Sequence, residues 1–221
     1  MTDESTPIYE QRLRRGGESM LRESGAYFAG VGALHVTLAR LARRLAEEGI
    51  AYALIGGLAM AEHGYVRLTA DIDLVLTASG LERFNRRLVG RGYRPAFQGA
   101  AKTFRDTDTG VRIEILTAGE YPGDGLPKPV AFPDPGLPGV VVEIEGVHVV
   151  ALERLIELKL ASGLSAPHRL RDLADVQDLI LYLELPLSLE NALDPSVRAK
   201  YVELWEQVQA SGLGSPGPTS G

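Results

Sequence analysis

The chain has 221 residues, 45% apolar and 24% charged, with 23 Lys plus Arg against 29 Asp plus Glu and a net charge of −6. The absence of cysteine excludes disulfides, Cys-ligated zinc, iron–sulfur clusters and thiol nucleophiles, and the acidic balance argues against broad duplex DNA binding. No apolar run approaches the ~18 residues of a membrane span, and the polar opening MTDESTPIYEQRLRR lacks a signal-peptide core, so the expected setting is cytoplasmic, with no membrane partner.

Residues 1–30 are polar and aperiodic and read as an N-terminal arm, loose or briefly helical. Residues 31–150 read as an α/β core. Leu34, Leu38, Leu41 and Leu45 step by four, three and four along one helix face, and Gly49 stands where a helix-ending glycine belongs. IAYALIGG is a short buried strand ending in two glycines, and LAMAEHG is a one- to two-turn helix closed by Gly64. DIDLVLT (71–77) alternates as a strand, a second amphipathic helix fills roughly 80–90, and KTFRD and VRIEILT flank the turn DTDTG as a hairpin. Residues 118–139 hold 11 Gly or Pro among 22 and read as loop. VVVEIEGVHVV is a second hairpin turning at Glu145-Gly146. Residues 151–211 are helical throughout, and 212–221 read as a disordered tail. The fold class is therefore mixed α/β (α+β) followed by a helical C-terminal half.

Chemistry concentrates in LIGGLAMAEHGYVRLTADIDLVL, residues 54–76. Asp71 and Asp73, two apart on a strand, project from one face. Two adjacent carboxylates repel unless a cation sits between them, and an all-oxygen set selects Mg²⁺ or Mn²⁺ over zinc; the bland alternative is an exposed Asp-x-Asp occurring by chance. Gly56-Gly57 ends a strand and opens a helix, where backbone N–H groups approach phosphate with no Cβ in the way; a plain turn explains it as well. Arg67, in the intervening loop, is either a phosphate ligand or a solvated charge. Glu114 interrupts an apolar strand and requires a partner, which is a metal shared with Asp71 and Asp73 or an arginine, Arg112 or Arg67.

Together GG (56–57), DID (71–73) and IEI (113–115) resemble the nucleotidyltransferase superfamily with the polymerase-β-like fold. The spelling HGYVRLTADID is similar to the AbiEii-like toxin nucleotidyltransferases and minimal bacterial relatives, and LIELKLASGLSAPHRLRDLADVQDLI resembles that family's Lys-bearing helix followed by an Arg-Asp-x-x-Asp helix. The third acid is Glu where many relatives have Asp. The resemblance implies a polymerase-β-like core with a mixed sheet. It also implies Mg²⁺-dependent transfer of a nucleoside monophosphate from an NTP such as ATP to an acceptor, with pyrophosphate released. One ion would sit on Asp71 and Asp73 and a second would be shared with Glu114, which is also the candidate base. Gly56, Gly57, Arg67 and Lys159 would then bind the nucleotide, and the acceptor would be tRNA, another protein or a small molecule. A toxin-like role with an antitoxin protein as partner is part of the same expectation. The rival readings are an inactive nucleotide- or partner-binding protein of the same fold, and a nucleic-acid-binding helical module.

In the helical half, Lys159 lies on an apolar helix face, three and four residues from Ile156 and Leu155. A lysine there needs an anion or a path to the surface, and the alternatives are a nucleotide phosphate or a structural pair with Asp172 or Asp175. Arg169 and Arg171 share that ambiguity. The stripe Leu173, Val176, Leu179, Ile180, Leu183, with Tyr201 and Trp205, reads as core.

Overall fold

The computed structural model describes residues 32–211 together with Tyr9, 24–27 and Gly30. Most of the expected arm and the whole expected tail, 212–221, lie outside the described residues. The chain divides into two compact units. The first takes the described residues up to Glu62, then Val66–Ala118 and Pro133–Val150; the second takes His63–Tyr65, Gly119–Phe132 and the described residues from Ala151 onward.

The first unit is built on one seven-stranded mixed sheet. Helix α1 (Ala33–Glu47) buries Leu34, Leu38, Leu41 and Leu45 and stops at Gly49, whose φ of 61° suits glycine. Strand β1 (Tyr52–Ile55) is buried along its whole length and runs directly into α2 (Gly56–Glu62). Strand β2 (Asp71–Leu76) leads to α3 (Ala78–Arg87), which the Thr77 hydroxyl caps by accepting from Gly80 N–H at 3.0 Å. Strands β3 (Tyr93–Pro95), β4 (Thr103–Asp106), β5 (Arg112–Thr117), β6 (Val141–Ile144) and β7 (Val147–Val150) complete the sheet.

The strand order is β3-β4-β5-β2-β1-β7-β6, so β1, β2 and β5, which carry the Gly-Gly, Asp-x-Asp and Glu114 segments, lie side by side. Strands β2 and β5 are parallel, as are β1 and β7, and the other pairs are antiparallel. Both expected hairpins form, the second through Glu145 and Gly146 with φ of 48° and 79°.

Two features escape the sequence reading. Strand β3 has no alternation to announce it; it forms because Tyr93 is buried beside Phe84, with ring centroids 5.6 Å apart. Pro95 is tolerated because β3 is an edge strand. The DTDTG turn is also more than a turn. Asp106, 1% exposed, accepts from the backbone N–H groups of Asp108 and Thr109 and pairs with Arg40 of α1, which also reaches Asp108. Satisfying a buried carboxylate this fully is what makes its burial tolerable.

The second unit packs α4 (Leu152–Ser165), α5 (Leu170–Tyr182) and α6 (Pro195–Ala210), with short 3₁₀ turns at Pro167–Arg169 and Leu187–Ala192. Helix α4 buries every residue from Leu155 to Gly163. A Cβ at Gly163 would lie 2.6 Å from the Leu173 side chain, so glycine there permits the close approach of α4 and α5. Val176, Leu179 and Ile180 are core as expected, while Leu173 and Leu183 are half-buried. Tyr201 is buried and donates to the Pro186 carbonyl; Trp205 is half-buried, and its indole N–H donates to the Leu185 carbonyl at 2.9 Å. Among the described residues no helix is long and apolar enough to cross a membrane.

Candidate metal centre

Strand β5 alternates half-buried and buried residues throughout, and β2 does so over Asp71–Leu74 before its end becomes wholly buried. Ile72, Leu74, Ile113 and Ile115 fill the buried face, which leaves Asp71, Asp73, Arg112 and Glu114 on the other. The parallel register sets Asp71 beside Arg112 and Asp73 beside Glu114. One carboxylate oxygen from each of Asp71, Asp73 and Glu114 lies within 4.8 Å of the others, and all three residues are half-buried. Three hard, anionic oxygens at that spacing are compatible with a divalent cation. Glu114 also has the arginine partner weighed for it: Arg112 Nη2 donates to its Oε2 at 2.6 Å. The two partners considered for Glu114 thus stand on the same sheet face.

The glycine turn is tied directly to this cluster. Gly56 has φ of +70°, and a Cβ there would fall 2.2 Å from Asp73 Oδ2. At Gly57 a Cβ would lie 2.9 Å from the Thr69 Cβ. The turn therefore needs both glycines simply to let the β2 carboxylate and Thr69 lie against it. Gly56→Ala should cost at least ~1–2 kcal/mol for the left-handed backbone alone and displace Asp73. A thermal melt combined with Mn²⁺ binding checks this, and a variant as stable and as metal-competent as wild type would refute it.

Thr69 was not singled out from the sequence. Its hydroxyl donates to Asp71 Oδ1 at 3.1 Å, which fixes that carboxylate while its methyl-bearing carbon packs on Gly57. The only signal available beforehand was its place two residues before Asp71, on the approach to the strand. Arg67 is half-buried; its carbonyl accepts from the Tyr27 hydroxyl at 2.7 Å. Burial raises the Tyr27 pKa above the usual phenol value, and the nearby positive charge of Arg67 partly opposes that.

Within the second unit, Lys159, Asp172 and Asp175 come together. Lys159, 6% exposed, donates to Asp175 Oδ2 at 2.6 Å and to Asp172 Oδ1 at 3.3 Å. Asp172 also accepts from the Ser162 hydroxyl at 2.7 Å. Of the two partners weighed for this lysine, the structure displays the carboxylates. Arg169 and Arg171 are exposed. A second buried charge, Glu157, gave no signal beyond its place in an apolar run; it accepts from Arg154 and from the Asp194 N–H, both at 2.6 Å, and so ties α4 to the start of α6.

No protein-family model and no curated protein matches the chain. Among solved structures, the chain is similar to proteins described as nucleotidyltransferases. A candidate nucleotidyltransferase from Helicobacter pylori is 18% identical over 80% of this chain and 92% of its own, with a TM-score of 0.44. An antigenic nucleotidyltransferase-like protein from Paracoccidioides brasiliensis is 16% identical over 80% and 86%, with a TM-score of 0.43. The antibiotic-resistance factor ANT(2″)-Ia, in complex with adenylyl-2″-tobramycin, is 15% identical over 80% and 94%, with a TM-score of 0.37.

Proposed function

We propose that this protein is a metal-dependent nucleotidyltransferase that moves a nucleoside monophosphate from an NTP to an acceptor hydroxyl and releases pyrophosphate. The observation that carries the reading is the in-register pairing of β2 with β5, which gathers Asp71, Asp73 and Glu114 into one oxygen cluster. The Asp-x-Asp strand entered from a Gly-Gly turn supports it.

In this reading Asp71 and Asp73 hold the divalent ion, Mg²⁺ or Mn²⁺, with Thr69 keeping Asp71 in place. The ion, when bound, supplies Lewis-acid stabilisation of phosphoryl oxygens. Glu114 receives the acceptor proton, or lends its second oxygen to the ion. Gly56 lets the backbone come close to Asp73 and Gly57 lets it lie against Thr69, and both leave the backbone open to an incoming triphosphate. Arg67 is the nearest cation in sequence for triphosphate charge. We assign Lys159, Asp172 and Asp175 to the fold of the second unit rather than to the nucleotide. The acceptor is RNA, a protein or a small molecule, and a toxin-like role with an antitoxin partner belongs to the same proposal.

The test is incubation with Mg²⁺, each α-labelled NTP in turn and total cell lysate. Metal-dependent label on one acceptor class, with stoichiometric pyrophosphate, is the expected result. Nucleotide binding without pyrophosphate release under any of these conditions would replace the enzyme with a nucleotide-binding protein of the same fold.

A further inference from the structure

Asp71, Asp73, Arg112 and Glu114 occupy the corners of a small square on one sheet face, because β2 and β5 pair in register. Arg112 and Glu114 are bonded along the strand at 2.6 Å and are comparably exposed, at 36% and 38%. The next basic residue across the sheet, Arg105, stands opposite Arg112 on β4 and donates to the Gly110 carbonyl at the hairpin turn. A guanidinium keeps its proton at all working pH values, so the charge Arg112 brings is permanent.

Three carboxylates alone carry −3, and Arg112 brings the group to −2, the charge that one divalent ion neutralises. A second divalent ion would leave the group at +2 and would sit close to a guanidinium that cannot move its charge away. Glu114 moreover already accepts from Arg112 through Oε2, which weakens that oxygen as a ligand to an ion.

We infer that Arg112 is the built-in second cation of this centre: without nucleotide, the centre binds a single divalent ion on Asp71 and Asp73, while Arg112 holds Glu114. This rests on the metal-dependent reading above. Arg112 is thus a positioning residue that sets metal stoichiometry and tunes affinity downward, because a fixed positive charge a few ångströms away, in a half-exposed setting, repels the incoming ion.

The experiment is a Mn²⁺ titration of the full chain at low salt without nucleotide, followed by the loss of the free-ion electron paramagnetic resonance signal. Wild type should take up one ion. Arg112→Gln should bind that ion about tenfold more tightly, and Arg112→Lys, which retains a cation, should stay within a few-fold of wild type. Circular dichroism melts without metal identify any variant that has unfolded, and Arg112→Lys keeps the comparison open if Arg112→Gln has. Two ions on wild type, or unchanged or weaker binding by folded Arg112→Gln, would overturn the inference while leaving the metal centre standing. No Mn²⁺ uptake by wild type without nucleotide would likewise overturn the inference, whereas equal uptake by Asp73→Asn would defeat the metal-dependent reading itself.

Discussion

Asp73→Asn should abolish both nucleotidyl transfer and the stabilisation that Mg²⁺ and NTP confer together. Wild type with the Mg²⁺–NTP complex at about a hundred times its dissociation constant should gain ~2.7 kcal/mol, because a ligand that binds only the folded state stabilises it. The variant should gain nothing measurable. Its turnover should fall by about a thousandfold or more, since a metal ion supplies several kcal/mol to such a transition state and each ~1.4 kcal/mol is a factor of ten. The metal-free protein should be as stable as wild type or slightly more so. Asn fills the same volume against Gly56, and losing one of three crowded carboxylates relieves repulsion. Thermal melts with and without ligand, beside a pyrophosphate-release assay, read all of this. A variant that unfolds without metal would make Asp73 a structural residue.

Lys159→Met should destabilise the chain by ~3–5 kcal/mol, the usual cost of removing one partner from a buried ion pair. Methionine keeps the aliphatic stem and the helix propensity, so the loss reports the stranded charge and not a packing defect. Asp175 is the group left exposed to that penalty: it is 2% exposed and 2.6 Å from the Lys159 ammonium. The double variant Lys159→Met, Asp175→Asn should recover most of the loss. Pairing Lys159→Met with Asp172→Asn should recover less, because the Asp172 side chain is 19% exposed and already accepts from Ser162. Urea denaturation measures each step. A single variant within ~1 kcal/mol of wild type would show that Lys159 reaches solvent and that the pair contributes little.

These two residues also mark the boundary of what the sequence makes legible. Asp71 and Asp73 could be placed on one face from the primary structure, because strand geometry alone sets a period of two. The leucine ladder of α1 and the glycines that end its neighbours are local signals of the same kind. For Lys159 the sequence carried only a contradiction, a charge on an apolar helix face, without saying which anion resolves it. Asp106 and Glu157 gave even less. Each is a buried carboxylate with one partner far along the chain, Arg40 for the first and the Asp194 N–H for the second.

What the sequence determined by itself was therefore periodicity and punctuation: the helices, the principal strands, the two hairpins and the shared face of Asp71 and Asp73. These depend on interactions within a few residues, where spacing fixes direction. Only the tertiary structure decided that β2 and β5 pair in parallel with Asp73 level with Glu114, that Gly56 is glycine because Asp73 lies against it, and that Arg112 shares Glu114 with the centre. A strand's sequence records which side chains share a face but not which strand lies beside it or in what register. Register is set by the burial of whole faces against one another, and the charge balance of this centre follows from that register.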